Sequence, residues 1–332
     1  MSFLRATSFA RSAAFTARRF STETPAATKK ASNVPYYLIT ASAVGFGAYF
    51  YLGGTGSNAV PKAFKRTQEK SPLDPKEFVD FKLKKVVPYN HNTSEFVFEL
   101  PNGEASLLPV ASCVVVRASD PEALKDAKGN PVVRPYTPIS APDKEGEMVF
   151  LIKKYDTGLL SKYVHEQLKP GDTLAIKGPF PKFPYKANEF EEVALIGGGS
   201  GITPLYQVAA HALSDPHNKT KFKLIFANVS EADILMRAEL DALKKAHPDT
   251  FDVLYAVDKP GPNFQGHVGF LSADLIKEHI APPALGEKTK VFICGPPGQV
   301  NAIAGKKAGM KQGPVGGILK ELGYTEDQVY KF

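Results

Sequence analysis

Cysteine is almost absent: Cys113 and Cys294 are the only two in 332 residues, and they stand far apart. That excludes a disulfide framework and any cysteine-held zinc or iron–sulfur centre. The seven histidines form no His-Glu-x-x-His or His-x-x-x-His pattern, so no metal site is expected. Acidic residues are missing before Glu23, where Arg5, Arg11, Arg18 and Arg19 are interspersed with Phe3, Phe9, Phe15, Phe20 and small hydroxyl residues. This is the composition of a mitochondrial presequence, expected over residues 1–33 together with a short polar segment. Charge of either sign is missing from Ala31 to Pro61. As a helix, Pro35 to Leu52 would reach about 27 Å, near the roughly 30 Å of a hydrocarbon core. Residues 34–54 are therefore expected to cross a membrane once, with Tyr36, Tyr37, Tyr49 and Tyr51 at the headgroup layers. The other reading is a buried helix of the folded body. The net charge of +7 resides mainly in the first 33 residues, where six arginines and lysines face Glu23 alone. The body is nearly neutral, which argues against a nucleic-acid partner.

Residues 55–75 are polar and contain Pro and Lys, as a tether does. Beyond them, short runs rich in Val, Phe and Thr are punctuated by turn residues: 78–86, 94–99, 111–118, 132–136, 148–153 and 173–176. Evenly spaced strands of this kind predict an antiparallel barrel over 76–186, interrupted by one helical pattern at 159–167. From 187 to 332 the rhythm changes to strand, turn, helix. Strands at 193–196, 222–228, 251–257 and 291–294 alternate with helices at 202–214, 238–247 and 271–279, which predicts a parallel sheet covered on both faces.

Three segments carry chemistry. Arg134-Pro135-Tyr136-Thr137-Pro138-Ile139-Ser140 offers a guanidinium, a phenol and two hydroxyls, and an arginine suits bidentate phosphate binding. Gly197-Gly198-Gly199-Ser200-Gly201-Ile202-Thr203-Pro204 is a glycine turn between a strand and a helix, where a phosphate can approach backbone N–H groups. It is not the strict dinucleotide fingerprint, because Ile202 stands where the third glycine belongs. Cys294-Gly295-Pro296-Pro297 closes the last of these parallel strands, at the carboxyl edge where ligands of such folds gather. No histidine partner for Cys294 is evident, so a nucleophilic role is rejected. Gly158-Leu159-Leu160-Ser161 opens a helix and adds a second phosphate candidate.

In this order the segments resemble the cytochrome b5 reductase group of the ferredoxin reductase-like flavoproteins, over roughly residues 75–332. The resemblance implies an FAD-binding β-barrel followed by an α/β NAD-binding domain behind an N-terminal membrane anchor, with no metal. It places Arg134 and Ser161 on the FAD pyrophosphate, Tyr136 against the flavin, and Thr137 near its reactive nitrogen. Pro135, Ser140, Gly158, Leu159 and Leu160 complete the segments around them. Ile152-Lys153-Lys154-Tyr155 resembles a strand carrying a lysine and a tyrosine between flavin and nicotinamide. Lys153 matches that lysine, but which of Lys153 and Lys154 points inward stays open. Gly198, Gly199, Gly201, Thr203 and Pro204 match the family's glycine turn, with Thr203 reaching the nicotinamide.

By the same resemblance Asp233 favours NADH over NADPH, in keeping with a carboxylate beside an unphosphorylated ribose and with the lack of arginine between Lys223 and Leu235. Cys294, with Gly295 and Pro296, orients the nicotinamide, and Phe332 lies near the flavin. Thr137, Lys153 and Cys294 are the expected catalytic residues. The implied activity is hydride transfer from NADH to FAD, then single-electron transfer to cytochrome b5 or a similar small haem protein, by a monomer in the mitochondrial outer membrane or, after processing, in the intermembrane space. Alternatives are a quinone or ferric-chelate reductase on the same scaffold and a membrane-anchored nucleotide-binding module without turnover.

Overall fold

The computed structural model describes residues 70–332 apart from Met310. The expected presequence, membrane span and most of the tether lie outside these residues. Among the described residues no helix is long and apolar enough to cross a membrane.

The first half is an antiparallel sheet of six strands: β1 (Val79–Pro88), β2 (Thr93–Glu99), β3 (Ser112–Ala118), β4 (Arg134–Tyr136), β5 (Glu147–Lys153) and β6 (Thr173–Pro181). Their spatial order is β4-β3-β6-β1-β2-β5. The two outer strands are drawn together just beyond β4, where Ile139 N–H donates to Val149 O (2.8 Å) and Val149 N–H donates to Ser140 Oγ (3.1 Å). Closure on itself leaves little free edge. Leu83, Phe96, Phe98, Val116, Phe150 and Ile176 fill the interior. Helix α1 (Leu159–Glu166) plugs it with Leu160 and Val164. Packing starts inside the expected tether: Leu73 is 3% exposed in this core, and Gly178 N–H donates to Asp74 O.

The second half is a parallel sheet of six strands. In chain order it contains β7 (Glu192–Gly198), α2 (Ile202–Leu213), β8 (Lys221–Ser230), α3 (Arg237–Ala246), β9 (Phe251–Lys259), β10 (His267–Val268), α4 (Ala273–His279), β11 (Thr289–Cys294), α5 (Pro297–Ala304), α6 (Gly317–Glu321) and β12 (Val329–Lys331). The spatial order is β10-β9-β8-β7-β11-β12, with every neighbouring pair parallel. Val193 to Ile196 and Val291 to Ile293 are buried without interruption because both faces of the sheet are covered. On one face Leu195, Leu224 and Phe292 pack with Leu205, Val208 and Leu240. On the other, Ile196 and Ile293 pack with Ile276, Val300 and Leu319. The chain leaves β7 towards β8 on one side and returns as β11 on the other. The carboxyl ends of β7 and β11 thus flank the switch point, where a crevice opens in folds of this kind.

Candidate active site

The glycine segment and the cysteine segment meet at that switch point. The ladder between β7 and β11 ends at the pair Gly197–Cys294. Just beyond, the two chains lie so close that a Cβ on Gly201 would stand 2.3 Å from Cys294 O and 2.7 Å from Gly295 N. A Cβ on Gly198 would stand 2.0 Å from Gln299 Oε1 and 2.8 Å from Pro296 Cδ. Gly199 has φ +50°, with open space around its Cα, as a turn that receives a ligand needs. Thr203 and Pro204 are buried in the first turn of α2, and Thr203 Oγ1 donates to Ser200 O (3.3 Å). Burial pushes the Cys294 thiol up to about 12, so it is a neutral thiol at any physiological pH. That argues against a nucleophilic role.

The barrel supplies the facing wall. Met148 to Ile152 of β5 are all buried, but to different sides. Phe150 and Ile152 enter the barrel core, whereas Leu151 packs into the core of the parallel sheet. Lys153 follows Leu151 onto that second face by the two-residue alternation of a strand. Its ammonium reaches Asp233 Oδ1 at 3.0 Å, with the two side chains only 14% and 10% exposed. The open choice between two lysines is settled: Lys154 turns outward and pairs with Glu166 at 3.0 Å. Beyond the strand, Tyr155 Oη lies 2.6 Å from Ser200 Oγ in the glycine turn.

Asp233 is held from three sides. Burial alone would raise its carboxyl, but the Ser230 hydroxyl at 2.7 Å and Lys153 outweigh that, and the carboxyl lies below its ordinary value. His91 Nε2 stands 3.6 Å away. The turn between β1 and β2 adds further ties to the same segment: Asn90 Nδ2 donates to Ala232 O (2.9 Å), and Met236 N–H donates to Tyr89 Oη (2.7 Å). Met236 has φ +56°, a strained conformation for a side chain of that size, and it caps α3. Sequence reasoning missed Tyr89, Asn90 and His91 because a polar turn carries no sign of what it will touch.

Arg134 and Tyr136 lie on β4, with Pro135 exposed between them. The guanidinium donates to Val133 O (2.8 Å) and forms no ion pair among the described residues. Burial pushes the Tyr136 phenol up to about 12, with Tyr155 adding to the effect and Arg134 opposing it, so these three groups share one neighbourhood. Thr137 is 9% exposed. Ser140 serves the barrel closure. Ser161 accepts from Tyr155 N–H (3.2 Å) and donates to Gly158 O (3.4 Å), holding the loop ahead of α1. A Cβ on Gly158 would lie 2.3 Å from that hydroxyl, which explains the glycine. Ile152 and Leu160 are 2% and 1% exposed inside the barrel, so only their backbone is left for a ligand. Leu159 and Tyr155 are exposed. Phe332 N–H donates to Ile293 O (3.0 Å), and its ring packs against Phe292 and Tyr330.

Two features fit a dinucleotide and a flavin. Arg134 is an exposed cation free for a phosphate, and Tyr155 and Leu159 are exposed apolar surface for a flat ring. Asn228, at the carboxyl end of β8, is 8% exposed, yet neither atom of its amide has a protein partner. A buried amide so placed calls for a water or a ligand. A cavity of about 530 Å³ lined by Phe183, Lys290 and Asp327 lies instead by the amino end of β11.

Comparison with known proteins agrees with this geometry. Residues 80–185 match the oxidoreductase FAD-binding domain family, and residues 195–304 match the oxidoreductase NAD-binding domain family. A protein from Mycosarcoma maydis named NADH-cytochrome b5 reductase 2 is 46% identical, with 97% of this chain and 95% of that one covered. One of the same name from Phaeosphaeria nodorum is 40% identical over 95% of each. The chain belongs to the NADH–cytochrome b5 reductase family. The crystal structure of the cytochrome b5 reductase domain of Ulva prolifera nitrate reductase is 29% identical with a TM-score of 0.67, covering 80% of this chain and 100% of that one. Like other members of this reductase family, the chain is an oxidoreductase that binds FAD and a nicotinamide dinucleotide, the barrel taking the former and the parallel sheet the latter.

Proposed function

We propose that this chain is a membrane-tethered mitochondrial NADH–cytochrome b5 reductase that acts as a monomer. The observation that carries the reading is the convergence of the end of β5, the glycine turn and the cysteine turn, with Tyr136 of the arginine segment in the neighbourhood of Tyr155. Tyr155 joins the end of β5 to the glycine turn at Ser200, Lys153 joins it to Asp233, and Gly201 is pressed against Cys294. When bound, FAD accepts a hydride and releases electrons one at a time. The chain's own residues bind and orient. Arg134 would hold the FAD pyrophosphate, and the start of α1 would offer it free backbone N–H groups. Tyr136 and Thr137 would line the seat of the flavin ring. Gly199, with open space where a side chain would stand, would admit the nicotinamide dinucleotide, Gly198 and Gly201 let the glycine turn close against Gln299 and Cys294, and the walls formed by Thr203 and Cys294 would position its ring. Asp233 disfavours a phosphorylated ribose by charge. The acceptor this chemistry would serve is the haem of cytochrome b5.

The test is spectroscopic. The protein loaded with FAD should be yellow, bleach under anaerobic NADH and recover its colour on adding oxidised cytochrome b5. Failure to take up FAD would refute the reading. Fast quinone reduction beside slow cytochrome b5 reduction would instead support a quinone reductase. The mitochondrial outer membrane, or the intermembrane space after processing, is the location inferred from the first 54 residues. Sequencing the amino terminus of the protein from fractionated mitochondria tests it.

A further inference from the structure

Gln299 lies in the first turn of α5, and nothing in its sequence surroundings marks it out. The hydrogen-bonded ladder between β7 and β11 stops at Gly197 and Cys294. One step past that point Gln299 Nε2 donates to Gly197 O at 3.0 Å and ties the two walls together. Its Oε1 occupies the space that a Cβ on Gly198 would take, at 2.0 Å, and lies 3.2 Å from where a Cβ on Gly295 would stand. The side chain therefore fills the gap between the glycine turn and the cysteine turn, and two residues without side chains make room for it.

We propose that Gln299 is a positioning residue, a spacer that sets the separation between the two walls of the nicotinamide seat and so the approach of the nicotinamide to the flavin. The inference rests on the reductase reading given above. Glutamine combines the length to cross the gap with a donor at its far end. Leucine has the bulk without the donor, and ionised glutamate would set an acceptor against an acceptor. A protonated glutamic acid regains an O–H that can donate to Gly197 O.

The test uses the full chain loaded with FAD, with anaerobic flavin reduction by NADH followed by stopped flow in wild type, Gln299→Leu and Gln299→Glu. Gln299→Leu should lower the limiting reduction rate roughly three- to tenfold, the equivalent of one ordinary hydrogen bond. It should also raise the primary isotope effect with 4-deuterated NADH, while FAD binding is unchanged. Gln299→Glu should be impaired at pH 8 and recover as the pH falls, an acid limb that wild type lacks. Wild-type rate and isotope effect in Gln299→Leu would overturn the proposal. So would an impaired Gln299→Glu with no acid recovery, and that profile remains decisive if the leucine variant does not fold. A wild type whose flavin NADH does not reduce would instead overturn the reductase reading.

Discussion

Replacing Gly201 by alanine tests whether the two walls of the crevice are as close as they must be for catalysis. Gly201 has φ −65° and ψ −6°, which alanine adopts freely, so backbone strain plays no part. What forbids the methyl is contact: it would stand 2.3 Å from Cys294 O, 2.5 Å from Cys294 C and 2.7 Å from Gly295 N. These are backbone atoms and cannot swing aside. To restore ordinary contact at 3.4 Å the walls must part by about 1 Å. A displacement of that size at a hydride-transfer site costs about 10²-fold in rate, and the overpacking costs about 1–3 kcal/mol in stability. The assay is the limiting rate of anaerobic flavin reduction by NADH, beside thermal unfolding. Gly298→Ala is the control, because nothing lies within 4 Å of its would-be Cβ. It should leave the rate unchanged and stabilise α5 slightly. Flavin reduction at the wild-type rate in Gly201→Ala would refute the argument.

Removing Lys153 as Lys153→Met strands a carboxylate that is 10% exposed. The loss should fall at the lower end of the roughly 3–5 kcal/mol typical of a broken buried pair, since Ser230 still serves Asp233. In a double-mutant cycle measured by denaturant unfolding, Lys153→Met with Asp233→Leu should lose less than the two single changes summed. The Asp233 carboxyl lies below its ordinary 3.8 in the folded state, so its contribution is complete above that value and fades as pH falls through the folded one. The stability gap between wild type and Asp233→Asn should accordingly hold steady from pH 8 to about 5 and shrink below about 4. With Cys294 pushed up to about 12, thiolate at pH 8 is about a thousandfold scarcer than for a free thiol. Alkylation of the folded protein by iodoacetamide, followed by mass spectrometry, should leave this residue unlabelled over hours and label it at once in denaturant.

Much of the fold was legible because its strands are long and bounded by turns. Residues 94–99 and 251–257 were readable from β-branched and aromatic runs, and the strand–helix rhythm expected beyond 187 is seen in the parallel sheet, whose first strand begins at Glu192. Two short strands of the parallel sheet were not legible. β10 has two residues and β12 three, too few to show a period. Helix α5 was hidden because Pro296-Pro297 reads as a turn, although proline at the first helical position is favourable. At the site, the motifs named the chemistry, but only the fold could decide between Lys153 and Lys154. Their strand is buried on both faces, so its sequence lacks the alternation that would have distinguished them. Gln299 and the turn 89–91 were beyond reach for the same reason: their partners are more than a hundred residues away.

The grip of the β1–β2 turn on residues 232–236 bears on modular engineering. A chimera that joins the nucleotide half of this reductase to the flavin half of a relative would lose Tyr89, Asn90 and Lys153 unless the donor happened to supply equivalents. The loop that carries Asp233 would then be left without its clasp, although no residue of the transplanted half had changed. The unit of exchange is therefore the nucleotide half together with that hairpin tip and the end of β5, a boundary that follows contacts and not the order of the chain.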